Sequence, residues 1–205
     1  MSVAWREHSY LGLSSQHTRG SALLGFVKDD AAYLADRIAT RRLVLTADAA
    51  LDEVPAPDII VIPGSGKVPF LEDPAAVEWV RRAHETSKWT TSVCTGSMLL
   101  GAAGILQGKR ATSHWAVRDS LRNFGAEPVP ERVVIEGKVI TAGGVSAGID
   151  MALTLAAREA GEDEARALQL VIEYDPQPPY DSGSLEKAEP ETKQRATEVL
   201  TRGVA

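Results

Sequence analysis

The single cysteine of this chain lies in the segment where chemistry is easiest to read. Ser92-Val93-Cys94-Thr95-Gly96-Ser97 sets a β-rich run against Cys94, and small residues follow it. Small neighbours permit the sharp strand-to-helix turn that lifts a nucleophile clear of a sheet. A helix opening just after Cys94 would supply free backbone N–H groups and a positive dipole end, both of which attract negative charge. The Thr95 hydroxyl is close enough in sequence to help hold charge on a bound substrate. The bland alternative is a buried, inert thiol. The elbow context favours the reactive reading.

Other segments can serve such a cysteine. Pro63-Gly64-Ser65-Gly66 follows a short apolar run, at the strand end where open α/β sheets place ligands. Glycines there let N–H groups approach a substrate atom, so Gly64 and Ser65 are candidate binding residues, against the plainer reading of a βα turn. The spacing matches neither the Walker nor the dinucleotide pattern. His114, within Ala111-Thr112-Ser113-His114-Trp115, can orient or deprotonate Cys94 as Cys–His pairs do, or can simply edge the core. His84 falls on the polar side of its helix and reads as solvated. His8 and His17 have no motif around them. In the segment 143–150 (GGVSAGID), Ser146 reads as a helix N-cap and Asp150 as a structural acid suited to the helix dipole. Trp79, Trp89 and Trp115 are too widely spaced for a base-stacking platform.

The elements that must position these residues follow a regular rhythm from Asp58 onward. Asp58–Ile62 is β-branched, as expected of a strand buried on both faces. Asp73-Pro74 reads as an N-cap followed by proline at the first helical position, opening a helix to about Thr86. Thr90–Val93 is the next strand and Thr95–Ala103 a small-residue helix. Arg110–Ser113 is a short strand and His114–Asn123 a helix. Arg132–Ile135 and Lys138–Ala142 form a hairpin about Glu136-Gly137. Helices follow over 146–160, 162–173 and 191–202, with an extended arm at Tyr174–Ser184. Strands separated by helices predict a single α/β domain with a mostly parallel sheet covered by helices on both faces.

Residues 1–41 break this rhythm. They hold one candidate amphipathic helix, Ser21–Thr40, and no convincing buried strand. The α/β pattern begins near Arg42, which divides the chain into an atypical segment 1–41 and a domain 42–205.

Bulk properties narrow the function. The chain has 205 residues, 44% hydrophobic and 24% charged, with a formal net charge of −6. That acidity, without a Lys/Arg cluster, argues against nucleic acid as partner. No apolar run approaches the roughly 20 residues of a membrane span, so no membrane partner is expected. The first residues lack the apolar core of a signal peptide. One cysteine forms no internal disulfide and no multi-cysteine zinc or iron–sulfur site. The reducing cytoplasm is the expected compartment.

Four segments, VIPGSGK, VCTGSMLLGAAGIL, ATSHW and GGVSAGIDMAL, occur in an order and spacing that resembles the ThiJ/PfpI (DJ-1-like) superfamily. Within it, they are similar to those of isonitrile hydratases. The resemblance covers about residues 42–205. It implies a flavodoxin-like, class I glutamine-amidotransferase-like fold, a homodimer, a small-molecule substrate and no metal or organic cofactor. It further implies addition of water to an isonitrile, giving an N-substituted formamide. Cys94 matches the cysteine that attacks the isonitrile carbon, Thr95 the threonine beside it, and His114 a histidine kept near that cysteine by many relatives. Residues 1–41 match neither the family's first strand nor the aspartate that hydratases carry after it. Other readings keep the cysteine and change the chemistry, to glyoxalase-, amidase- or protease-like reactions. A last one makes Cys94 a redox sensor without turnover. Sensor relatives carry a helix-turn-helix module, for which the residues after Tyr174 are too few.

Overall fold

The computed structural model describes residues 3–5, 45–66, 71 and 73–203. It divides into two compact units, Met1–Val54 and Pro55–Ala205. In the first, β1 (Val3–Trp5) pairs antiparallel with β2 (Leu45–Ala47), Ala4 opposite Thr46. A 3-10 turn at Leu51–Glu53 follows, with the Glu53 carboxylate accepting the Ala50 N–H at 2.7 Å. A strand inside residues 1–41 departs from the sequence expectation. Three residues are too few for an alternation to register, so the pairing is not visible as a pattern. The helix expected over 21–40 lies outside the described residues.

The second unit carries the remaining strands. These are β3 (Ile59–Ile62), β4 (Trp89–Val93), β5 (Arg110–Ala111), β6 (Glu127–Pro128), β7 (Val133–Glu136) and β8 (Val139–Ala142). The main sheet has the order β3-β4-β8-β7, and β5 and β6 form a small parallel pair of their own. β3, β4 and β8 run parallel, while β7 returns antiparallel to β8. That last pair is the predicted hairpin, with Gly137 at φ 63° in its turn. Helices α1 (Pro74–Thr86), α2 (Gly96–Ala102), α3 (Ala147–Ala160), α4 (Glu162–Val171) and α5 (Pro190–Gly203) complete the unit. The Asp73 side chain accepts the Ala75 N–H at 2.9 Å ahead of Pro74, so α1 starts as the sequence predicts. No helix among the described residues is long and apolar enough to cross a membrane.

Two cores flank the sheet, one on each face. Ile60, Ile62 and Val139 meet Val80 and Ala83 of α1 and Leu99 and Leu100 of α2 on one side. Ile140 and Ala142 meet Ala147 and Met151 of α3 on the other. Alternate residues of β8 thus feed opposite cores, the strand periodicity at work. Leu100, Leu106 and Leu121 are fully buried, each worth about 2 kcal/mol of burial. The fold is therefore the expected flavodoxin-like α/β sandwich, mostly parallel, with helices on both faces.

Three expectations need correction. Among the described residues, β3 is covered on one face only: Ile60 and Ile62 are buried, but Ile59 and Val61 are 38% and 54% exposed. The helix α3 on that side packs chiefly on β8 and β7. Ser146 stands at the start of α3 but makes no side-chain cap; its hydroxyl instead accepts from Arg132. The segment 114–123 forms a 3-10 helix at Arg118–Phe124, ended by Gly125, in place of an α-helix.

Candidate active site

β4 delivers Cys94 to the site. Its last residue, Val93, is followed by Cys94 at φ 59° and then by the first turn of α2. That left-handed backbone costs a non-glycine residue about 1–2 kcal/mol, and the surroundings hold it in place. The Cys94 N–H donates to the carbonyls of Ala142 (3.0 Å) and Gly143 (2.7 Å). Its carbonyl accepts the Ser113 hydroxyl at 2.8 Å and the Ser97 hydroxyl at 3.1 Å. The backbone N–H and carbonyl of Cys94 itself are both engaged, and its half-buried thiol is in no disulfide. This is the strained turn the sequence predicts at this cysteine.

Gly64 and Gly96 make the elbow tight. A Cβ on Gly64 would lie 2.5 Å from Cys94 Cβ and 2.9 Å from Cys94 Sγ, so the bare glycine face is what leaves room for the sulfur. A Cβ on Gly96 would lie 2.3 Å from the Ile62 carbonyl oxygen, so only glycine lets α2 start this close to the end of β3.

Thr95 joins the two turns. Its hydroxyl accepts the Ser65 N–H at 2.8 Å and donates to the Ser65 carbonyl at 2.9 Å. Its one proton is therefore committed to Ser65, and it fixes the 63–66 turn against the elbow rather than facing a ligand. The sequence brought these residues to the same site but did not reveal this pairing, which spans thirty positions. Among the described residues, the N–H groups of Thr95 and Gly96 have no hydrogen-bond acceptor. Donors of this kind beside a thiol can stabilise negative charge on a reacting substrate.

His114 sits on the other flank. An added Cβ on Gly144 would come within 3.3 Å of its ring. Its Nδ1 accepts the Ala116 N–H at 3.3 Å, which leaves the proton on Nε2. Burial lowers its pKa from 6.5, so the ring is uncharged at neutral pH. With Nδ1 accepting from Ala116, the neutral His114 ring carries its proton on Nε2 as a donor. Its ring stacks obliquely on Trp115, with centroids 5.4 Å apart.

Sequence reasoning missed three features nearby. Ser113 lies inside the ATSHW segment, yet nothing in its type announces that it holds the elbow carbonyl. Ser92 Oγ, fully buried two residues before Cys94, has no hydrogen-bond partner among the described residues. Arg132, opposite Asp150 at 2.5 Å, ties β7 to α3, while the Tyr174 hydroxyl donates to the same carboxylate at 2.8 Å. The structural reading of Asp150 fits these contacts. His84 corrects its own expectation: it is half-buried, and its Nδ1 meets the Thr90 hydroxyl at 2.7 Å.

The fold and this site together define a flavodoxin-like α/β domain with a free cysteine at a strand-to-helix elbow. The DJ-1/PfpI family model matches residues 35–158, and the chain belongs to that family. It is 48% identical over 147 residues to an isonitrile hydratase of Pseudomonas putida, covering 71% of this chain and 64% of that protein. It is also 34% identical over 101 residues to a deglycase of Thermococcus kodakarensis, covering 47% of this chain and 60% of that one. Among solved structures, a ThiJ/PfpI family protein from Pseudomonas syringae superposes with a TM-score of 0.67 at 36% identity. That match covers 72% of this chain and 62% of the other. The chain thus spans less than two thirds of the length of these relatives.

Proposed function

We propose that the protein is a hydro-lyase of the isonitrile hydratase type, with Cys94 as nucleophile. The observation that carries the reading is the strained Cys94 elbow, with its sulfur against the bare face of Gly64. The likeness to an isonitrile hydratase at 48% identity supports the choice of substrate. In the first step the Cys94 sulfur bonds to the terminal isonitrile carbon, and that carbon takes up a proton, giving a thioimidate. Water then adds to the same carbon while nitrogen gains a proton. Collapse breaks the carbon–sulfur bond, returns the thiol and releases the N-substituted formamide. The net change is addition of one water.

The residues around Cys94 have distinct parts in this scheme. The N–H groups of Thr95 and Gly96 face charge that develops during attack and collapse. Thr95 positions the Gly64–Ser65 turn, and His114 donates from Nε2 to the substrate-bearing side. Residues 1–41 offer no match to the family's aspartate, so turnover is expected to be slower than in a hydratase that carries it. The lone cysteine fits a reducing cytoplasm, and the working oligomer is the homodimer that the family resemblance implies.

The test is hydration of a simple alkyl isonitrile by the purified protein, read as formamide formation, with Cys94→Ala alongside. Formamide from the parent and none from the variant is the expected result. No turnover by folded protein would sink the reading. In that case, peroxide oxidation confined to Cys94 would favour a sensor, and turnover of a carbonyl substrate would favour deglycase-like chemistry.

A further inference from the structure

A cavity of about 710 Å³ opens beside the elbow. It shares two wall residues with the elbow: Ser113, whose hydroxyl holds the Cys94 carbonyl, and Gly143, whose carbonyl holds the Cys94 N–H. Trp115, Val145, Ile149 and Leu185 give it apolar walls, and His114 lines it as well.

The charges on its lining decide what it can hold. Glu131 is taken up by Arg110, and Arg132 by Asp150. The Glu186 carboxylate is held mainly by its own backbone N–H and the Ser184 hydroxyl, which lower its pKa. Arg118 differs from these. Its side chain is only 17% exposed, and its one ion pair among the described residues is Glu186 at 3.9 Å, beyond hydrogen-bond reach. A guanidinium has five N–H donors, and among the described residues those of Arg118 have no hydrogen-bond acceptor. A guanidinium on a cavity wall, only 17% exposed and with its N–H groups uncommitted to acceptors among the described residues, is open to take up an anion there.

The form of that anion follows. One guanidinium offers a planar fork that matches a carboxylate. A phosphate dianion would need more positive charge than a wall that also carries Glu131 and Glu186 can give. We propose that this cavity binds the carboxylate of a substrate whose apolar tether lies along Trp115, Val145 and Leu185, with Arg118 as the anion-binding residue. The inference rests on isonitrile hydration as the reaction, and it names the substrate class as isonitriles bearing a carboxylate on an apolar N-substituent.

The experiment has a binding arm and a turnover arm. In the first, an ω-formamido carboxylate with a short alkyl tether, the hydrated product, is titrated calorimetrically into the protein beside its uncharged amide. The carboxylate is expected to bind at least tenfold more tightly, and Arg118→Met is expected to erase the difference. Glu186→Gln, which removes the facing carboxylate at an exposed position, is expected to tighten carboxylate binding severalfold. In the second arm, the matching isocyano carboxylate is expected to show a KM at least tenfold below that of the neutral isonitrile, in wild type but not in Arg118→Met. Equal binding of carboxylate and amide, or binding unmoved by both substitutions, overturns the site. Arg118-dependent carboxylate binding without any isonitrile turnover upholds the cavity and overturns the hydration reading instead. Hydration of both isonitriles with equal KM upholds hydration and overturns the cavity.

Discussion

The two ends of β4 are built from similar small polar residues and come to opposite states. At the amino end, Thr90 meets His84 at 2.7 Å and the Ser87 hydroxyl at 2.8 Å. Lys138 crosses from the start of β8 to the carbonyls of His84, Glu85 and Ser87, closing the last turn of α1. Its ammonium meets the negative end of the helix dipole, and the last carbonyls of α1 find donors. At the carboxyl end, Cys94 holds a positive φ, and among the described residues the Thr95 and Gly96 N–H groups lack acceptors and buried Ser92 Oγ has no partner. One end is satisfied and unstrained. The other stores strain and open donors, which is what a site that must bind a changing charge requires.

The comparison breaks most visibly at Gly64. Gly64→Ala puts a methyl into the space of the Cys94 sulfur. If Cys94 is the nucleophile proposed above, a displacement of its sulfur by about 1 Å costs on the order of 100-fold in rate. Hydration activity should fall by that order while circular dichroism keeps the helix content of the parent. Unchanged activity would mean that the elbow geometry does not set the rate.

At the opposite end, Lys138→Met should leave activity alone and cost stability. Hydrogen bonds from a charged donor are worth about 1.5–3 kcal/mol. For a chain of this size, about 2 kcal/mol lowers Tm by roughly 4–8 °C. Thermal unfolding read beside hydration separates the two effects, and a loss of activity without loss of Tm would erase the distinction between the ends. Ser92→Ala sharpens the distinction from the other side. It removes a buried hydroxyl with no partner among the described residues, so stability should rise by about 1 kcal/mol. A fall of that size would show that the hydroxyl has a partner after all.

Sequence reading reached the satisfied and the strained parts unequally, for a physical reason. Local signals were legible: the Asp73-Pro74 start of α1, the Gly137 hairpin turn and the run of small residues after Cys94 all act within a few positions. Contacts between distant segments were not. Thr95 to Ser65, Ser113 to Cys94, Lys138 to His84 and Arg118 to Glu186 are set by packing of separate elements, and no spacing encodes them. His84 shows how this misleads. Its place on the polar side of α1 reads as solvent, yet the neighbouring strand brings Thr90 under it. β3 errs in the opposite sense, since an apolar tetrapeptide cannot say how many of its faces are covered. The candidate site was therefore recognisable by its cysteine and its glycines, while the residues that hold them in register emerged only with the fold.

The smallest effect expected is a pH dependence of stability from His84. Burial first, then the charges of Lys138 and Lys109, lower its pKa from 6.5, with Glu85 pulling weakly the other way. A group whose pKa is lower folded than unfolded binds fewer protons in the native state through that interval. Its contribution is therefore complete above pH 6.5 and is lost as pH falls from there through the lowered folded value. His114 shifts in the same direction through burial alone, so the parent should lose stability in two parts. Urea unfolding at steps from pH 7.5 to 5 measures the slope. His84→Gln, with no proton to take up, should shallow it and leave the part due to His114. Lys138→Met should shallow it too, because removing the cation lets His84 titrate closer to its ordinary value. A slope untouched by either substitution would show that the amino end of β4 accepts the extra charge without cost, and would remove the electrostatic half of the contrast with the elbow.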